Sequence, residues 1–264
     1  MQPTLGVVFP AYRPDAERLV EYVTAVCETV EPTRARVELD GADEVPLRAI
    51  AEALPAVRIS ANQSRRGKGA AVTAGFEALA ADVDTLLFLD ADGSTPASEV
   101  AEIVEPVATG RAAIAAGSRR HPGSRVTSHQ TLARRRLGDA FAWTARQLLE
   151  ASLYDYQCGA KAISSGAWRQ LRPHLYEAEF AWDVELLGTA GALGLEITEV
   201  PIRWEDAPGS VVDPVRTSLD MARALLTVRH RARRLSGGHR EKLAGSDPLP
   251  LVDREQTAVE GTGE

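Results

Sequence analysis

The sequence predicts an α/β protein with a doubly wound, mostly parallel central sheet flanked by helices. Short apolar runs alternate with helix-period stretches through the N-terminal half, the pattern of repeated strand–helix–strand units. Leu86, Leu87, Phe88 and Leu89 form a continuous apolar run, as expected of a strand covered on both faces. That run ends in Asp90-Ala91-Asp92-Gly93. Two carboxylates therefore leave a buried strand at its carboxyl end, where open α/β sheets place ligands.

Taken in order, 5–10 (LGVVFP) reads as a first strand and Pro10-Ala11-Tyr12 as the loop leaving it. Asp15 is placed to cap a helix over 16–30, where Leu19, Val20, Val23, Val26, Cys27 and Val30 share one stripe. A weaker strand at 36–40 runs into Asp40-Gly41, a helix covers 47–54, and 56–61 (AVRISA) is a third strand. An Ala-rich helix at 67–80, the buried strand at 85–90, a helix near 97–107 and a strand at 112–117 follow. The second half is less regular. It holds a long amphipathic helix at 132–149 that opens with Arg134-Arg135-Arg136, a turn into a strand at 156–164 and a helix at 181–193. An alternating strand at 195–204 and a last helix at 214–235 complete it. The last helix becomes basic through Arg229, Arg231, Arg233 and Arg234. These elements form one domain over 1–235. After Gly237-Gly238 the chain turns polar and acidic, so 236–264 is expected to be a disordered tail.

Composition narrows the class. At 264 residues, with 44% hydrophobic and 25% charged residues, the chain has the make-up of a soluble globular protein. No run approaches the ~20 apolar residues of a membrane span, and the start MQPTLGVVFPAY lacks a basic segment and cleavage site. A cytoplasmic protein is expected, peripheral on the membrane if it meets lipid. A net charge of -7 argues against nucleic acid as a partner. Lysine occurs only at Lys68, Lys161 and Lys242, so nearly all basic residues are arginines. Cys27 and Cys158 have no metal-like or disulfide spacing and read as small buried residues, and the five histidines are scattered.

Asp90 and Asp92 could reach one hard cation while Gly93 turns the backbone away, and such an ion would neutralise a nucleotide's pyrophosphate. A plain polar turn is the competing reading. A calcium loop is excluded, because its sixth and twelfth positions would fall on Thr95 and Ala101 rather than Gly and Glu. Arg65-Arg66-Gly67-Lys68-Gly69 precedes a helix and could cradle phosphate at its N-terminus. It is not a Walker A loop, since Asn62 and Gly69 stand where Gly and Ser or Thr are needed. Gly117-Ser118-Arg119-Arg120 follows a strand and could bring guanidinium groups toward the sheet edge that carries Asp90, although taken alone it reads more readily as a solvated loop. Gln157-Cys158-Gly159 reads as a structural turn, since no histidine stands ready to activate the thiol. The stripe Val215, Leu219, Ala222 and Leu226 on the last helix suits either packing on the core or contact with anionic lipid.

These stretches together resemble family 2 glycosyltransferases, in particular the dolichyl-phosphate and other polyprenyl-phosphate glucosyl- and mannosyltransferases. The matching pieces come in the family's order: VVFPAY at 7–12, RGKGAA at 66–71, LFLDADGS at 87–94, GSR at 117–119, YQCGAKAIS at 156–164, AWDVELL at 181–187 and EVPIRW at 199–204. The resemblance spans about residues 5–235 and implies a glycosyltransferase-A fold, a nucleotide-diphospho-sugar donor, a polyprenyl or dolichyl phosphate acceptor and Mg²⁺ or Mn²⁺. It further implies that Pro10, Ala11, Tyr12 and Asp40 line the nucleoside pocket, with Lys68 near it. Asp90 and Asp92 would hold the metal and the ribose-diphosphate. Arg119, with one or more of Arg134, Arg135 and Arg136, would grip the acceptor phosphate.

Three positions depart from the family pattern: Arg13-Pro14 follow the tyrosine where Asn-Glu is usual, Leu39 replaces an aspartate before Asp40, and Val211 replaces a lysine after Gly209-Ser210. By the resemblance, the first two fall on base-recognition contacts and the third on a phosphate contact. The expected chemistry is an inverting single displacement, with the leaving diphosphate stabilised by the metal. A lipid phosphate is already anionic near neutral pH and needs positioning more than a general base. Asp183 is the candidate base for a hydroxyl acceptor, although an orienting or structural role is preferred. The rival readings are a same-fold enzyme acting on a glycan or protein hydroxyl and a non-catalytic nucleotide-sugar-binding protein. A sugar-nucleotide pyrophosphorylase is excluded, because its Gly-rich, Arg-containing loop is absent after Val8.

Overall fold

The computed structural model describes residues 3–41, 43–126, 132–204, 214–236 and 248–254. In chain order the elements are β1 (Leu5–Tyr12), α1 (Ala16–Val30), β2 (Arg34–Asp40), α2 (Glu44–Ala53), β3 (Arg58–Asn62), α3 (Lys68–Leu79), β4 (Thr85–Leu89), α4 (Ala97–Ala108) and β5 (Ile114–Ser118). They continue as β6 (Arg125–Val126), α5 (Leu132–Leu148), β7 (Ala160–Ser164), α6 (Ser165–Leu171), α7 (Trp182–Ala192), β8 (Ile197–Pro201), β9 (Arg203–Trp204) and α8 (Pro214–Ser236). Seven strands form one sheet in the order β3-β2-β1-β4-β7-β5-β8, while β6 and β9 pair apart from it. β7 runs antiparallel to both β4 and β5, and the other pairings are parallel. The expected doubly wound, mostly parallel sheet is the one observed. Its single reversed strand has no signature in the local sequence, because strand direction is set by the path of the connection.

The apolar runs of β1 and β4 are continuous because both faces are covered. Val7, Phe9, Leu87 and Leu89 point into one core with Leu19, Val23 and Val26 of α1 and Val100 and Ile103 of α4. Val8, Leu86 and Phe88 point the other way, onto Phe76 of α3, Trp168 of α6 and Trp182 of α7. Successive side chains on one strand thus enter opposite cores. Asp15 caps α1 as the sequence implies, its Oδ1 accepting from the Arg18 N–H at 3.1 Å.

Four points differ from the sequence reading. The strand read at 195–204 is two strands, β8 and β9, with only Ile202 between them, and α6 was not anticipated. Within the tail expected to be disordered, residues 248–254 are packed. Leu251 and Val252 are buried, and the Leu251 N–H donates to the Leu175 carbonyl. On α8 the buried residues are Met221, Leu225, Val228 and Ala232. Of the stripe that suited either core packing or lipid contact, Ala222 and Leu226 face outward, while the side chains of Val215 and Leu219 lie outside the described residues. Amphipathic spacing could not tell the two rows apart, since each carries apolar residues at helical period. The usual Lys position at Val211 also lies outside the described residues.

Candidate active site

The carboxyl ends of β1, β2 and β4 bring together most of the residues singled out from the sequence. Asp90 leaves β4 with its N–H donating to the Gly159 carbonyl at 2.7 Å, and its side chain remains 32% exposed. A methyl group on Gly159 would stand 1.9 Å from Asp90 Oδ2, so only glycine leaves the carboxylate room here. Asp92 is exposed, and its Oδ1 accepts from the Ser94 N–H at 3.0 Å across the turn that Gly93 makes at φ 73°. Burial pushes the Asp90 carboxyl above the usual range; Lys68 opposes this, while Asp183 and Asp92 add to it.

Asp90 and Asp92 are hard oxygen donors whose mutual repulsion a divalent ion would relieve. Among the described residues no third acidic, His or Cys side chain joins them in a metal-holding group. The pair therefore fits an ion that takes one or two carboxylates and completes its shell with phosphate oxygens and water, as Mg²⁺ and Mn²⁺ do.

Behind Asp90 lies a chain of alternating charges. Lys68 Nζ is 2.8 Å from Asp90 Oδ1 and 2.8 Å from Asp183 Oδ2. Lys161 Nζ, fully buried, is 2.6 Å from Asp183 Oδ1 and also donates to the Cys158 carbonyl at 2.6 Å. Both ammonium groups lie about 5 Å from the Phe88 ring centroid, at 5.1 and 5.5 Å. Burial pushes the Asp183 carboxyl up, but Lys161 and Lys68 outweigh it and hold it below the usual range. Each Asp183 oxygen thus already carries an ammonium, a poor arrangement for taking a proton from a hydroxyl.

Arg119, just after β5, is held by Asp155. Its Nε and Nη2 donate to the two Asp155 oxygens at 2.7 and 3.0 Å, and its backbone N–H adds a third bond at 3.2 Å. The guanidinium also lies 5.6 Å from the Trp204 ring centroid and within electrostatic reach of Asp90. Asp155 is fixed in turn, because the N–H groups of Tyr154 and Asp155 donate to the Glu199 carboxylate at 2.7 and 2.9 Å.

The remaining expected residues divide. Pro10 and Ala11 are buried in β1, whereas Tyr12 is 49% exposed with Arg13 and Arg65 against its ring at 5.6 and 5.1 Å. Asp40 is buried and accepts from the Arg66 and Gly67 N–H groups at 2.7 and 3.2 Å and from Arg66 Nε at 2.8 Å. It fastens the loop between β3 and α3. At the start of α3, weighed between a phosphate cradle and plain turn chemistry, the Ala70 N–H already donates to the Ala178 carbonyl at 3.1 Å. A methyl on Gly67 would stand 2.4 Å from that same carbonyl, so this glycine serves close packing of the 176–181 loop. On α5, Arg136 is exposed and the side chains of Arg134 and Arg135 lie outside the described residues. The next turn of α5 meets the arginine loop, where Arg120 pairs with Asp139. Cys158 is buried and its thiol is pushed up to about 12, chiefly by burial, in keeping with a structural role.

Lys161, Gly159, Asp155 and Glu199 were given no role at the site by the sequence reading. The first two sit inside the YQCGAKAIS stretch, and Lys161 is one of three lysines in the chain, a usable signal. Glu199 opens the EVPIRW stretch, but its partner Asp155 is 44 residues away, and Arg119 lies 36 residues from Asp155, so neither pairing was visible in the sequence.

The family model for glycosyl transferase family 2 matches residues 6–163. The chain is 35% identical over 236 residues to glycosyltransferase AglD of Haloferax volcanii, covering 84% of this chain and 36% of that protein. It is 31% identical over 179 residues to the dolichyl-phosphate beta-glucosyltransferase of Dictyostelium discoideum, covering 66% of this chain and 54% of that one. This chain belongs to glycosyl transferase family 2. It spans about a third to a half of the length of these curated relatives. Among solved structures, glucosyl-3-phosphoglycerate synthase from Mycobacterium tuberculosis, crystallised with Mn²⁺, UDP-glucose and phosphoglyceric acid, superposes with a TM-score of 0.65 at 16% identity. The match covers 86% of this chain and 80% of that one. At that identity it shows the fold, which is of the glycosyltransferase-A type.

Proposed function

We propose that this protein transfers a hexose, with inversion, from a nucleotide-diphospho-sugar to a polyprenyl or dolichyl phosphate and so feeds glycan assembly. The observation that carries the reading is the pairing of two opposite charges at one sheet edge: the Asp90–Asp92 pair, and an arginine within its electrostatic reach that a buried carboxylate holds in place. The relatives named above support the substrate class. Asp90 and Asp92 would hold Mg²⁺ or Mn²⁺, which when bound supplies Lewis-acid stabilisation of the leaving diphosphate. Tyr12, Pro10 and Ala11 would border the nucleoside, with Asp40 shaping that pocket through the loop it fastens. Lys68 would face the diphosphate. Arg119, its Nε and Nη2 committed to Asp155, would present Nη1 to the acceptor phosphate, with Arg134, Arg135 and Arg136 as further cations from α5.

Asp183 bears on the choice of acceptor. A hydroxyl acceptor needs a base, and both Asp183 oxygens are occupied by lysines. An acceptor that arrives as an anion needs none, which supports the lipid phosphate. The protein would meet that lipid at the cytoplasmic membrane surface, where exposed Leu137 and Trp143 lie on the same helix as the arginine cluster. The residues 1–235 would act as the transferase domain.

The test is a transfer assay with purified protein, a panel of UDP- and GDP-hexoses and a prenyl phosphate, read by product mass. Asp92→Ala should lower turnover by about 100-fold or more. Unchanged turnover in that variant removes the metal assignment, and product only on hydroxyl acceptors removes the lipid phosphate.

A further inference from the structure

Lys68 already pairs with one of the two Asp90 oxygens that a metal could take. Its ammonium is 2.8 Å from Asp90 Oδ1, and its side chain is only 9% exposed. A divalent ion bound through that same Oδ1 would approach it to about 2.1 Å. The two cations would then stand roughly in contact with no water between them, a strongly repulsive arrangement in a half-buried site. Asp90 cannot swing away toward β7, because its Oδ2 already lies where a Gly159 methyl would be. Lys68, by contrast, has a second anchor. Asp183 Oδ2 holds it at 2.8 Å, and Lys161 pins the other Asp183 oxygen at 2.6 Å.

We propose that Lys68 is the resident counter-ion of Asp90, which a divalent ion must displace, and that the displaced ammonium stays on Asp183 and turns to the donor's diphosphate. This rests on the metal–nucleotide reading above. Metal alone then binds weakly, because it must break the Lys68–Asp90 pair. A nucleoside diphosphate strengthens metal binding by giving Lys68 a new anion, and the metal strengthens nucleotide binding by the same factor. Lys161 acts as a positioning residue, keeping Asp183 ionised and in place while Lys68 changes partner.

The experiment measures Mn²⁺ affinity of the full chain from the free-ion electron paramagnetic resonance signal, with and without UDP. Wild type should bind Mn²⁺ weakly alone and more tightly with UDP. Lys68→Met and Lys68→Gln should each tighten Mn²⁺ binding without UDP by about tenfold or more, and should shrink the further gain from UDP. Lys68→Arg keeps the charge and should behave like wild type. The glutamine variant keeps a polar contact to Asp183, so it reads the same effect if the methionine variant folds poorly. Should both neutral variants match wild type, or should the arginine variant gain as much as they do, displacement is wrong and the metal site stands. If wild type binds no Mn²⁺ even with saturating UDP, the metal–nucleotide reading falls and this inference with it.

Discussion

Arg119 is oriented by a carboxylate rather than by its own flexible stem. Asp155 is 1% exposed and makes two of its bonds to the guanidinium, so the pair behaves as one rigid unit. Burial pushes the Asp155 carboxyl up, but Arg119 and the backbone N–H groups of Gln157 and Arg119 outweigh it and hold it well below the usual carboxylate range. A depressed value in the folded state means that the stabilisation is full above the unfolded value of 3.8 and is lost as pH falls through the folded one. Asp155→Asn should therefore cost about 3 kcal/mol near neutral pH, by leaving Arg119 without its counter-ion. In urea unfolding the gap between variant and wild type should narrow as the pH is taken down toward about 3. A gap that stays constant with pH would assign the loss to packing. Gly159 makes a second residue-scale case. Gly159→Ala should force Asp90 aside and cut turnover on the order of 100-fold while far-ultraviolet circular dichroism stays that of wild type.

At the scale of the element, α7 carries two buried carboxylates that face different neighbours. Asp183 meets the lysines, and Glu185, two residues on, accepts from the Tyr176 and Glu177 N–H groups and from Arg231 of α8 at 2.7, 2.8 and 2.7 Å. Arg231 also stacks on Tyr176 at 4.4 Å. Burial pushes the Glu185 carboxyl up to about 7, against the pull of those backbone donors and Arg231. This contact ties α8 to the loop that closes the start of α3. Arg231→Ala should lower stability by about 2–3 kcal/mol, seen as a drop in Tm, because Glu185 keeps its backbone donors but loses the guanidinium paired with it. Helix existence was legible in the periodicity of 16–30, 181–193 and 214–235. The inward face of α8 was not, since it depends on where Gly188 and Leu149 lie across the interface.

At the scale of the whole molecule, the proposed lipid acceptor would have to be met at a membrane surface. No helix among the described residues is long and apolar enough to cross a membrane. Trp143 is 60% exposed on α5 and Leu226 60% exposed on α8, two elements that pack against each other. An exposed tryptophan beside arginines suits the interfacial zone of a bilayer. Trp143→Glu should reduce flotation with anionic liposomes several-fold while leaving Tm within a few degrees of wild type. Flotation equal to wild type would move the contact elsewhere. Deleting α8 is the wrong probe, because it would strip Met221, Leu225, Val228 and Ala232 from the core.

What the chain declares by itself is local. Apolar runs ending in Asp90 and Asp92 specify a buried strand with a polar carboxyl edge, and the glycines at 67 and 159 mark places of close approach without saying to what. The partners came only with the folded molecule. Lys161 on Asp183, Asp155 on Arg119 and Asp40 on the Arg66 loop join residues 22 to 36 positions apart. Spacing along the chain encodes which face of a strand or helix a residue takes. It carries no distance between elements, and an ion pair is decided by that distance alone.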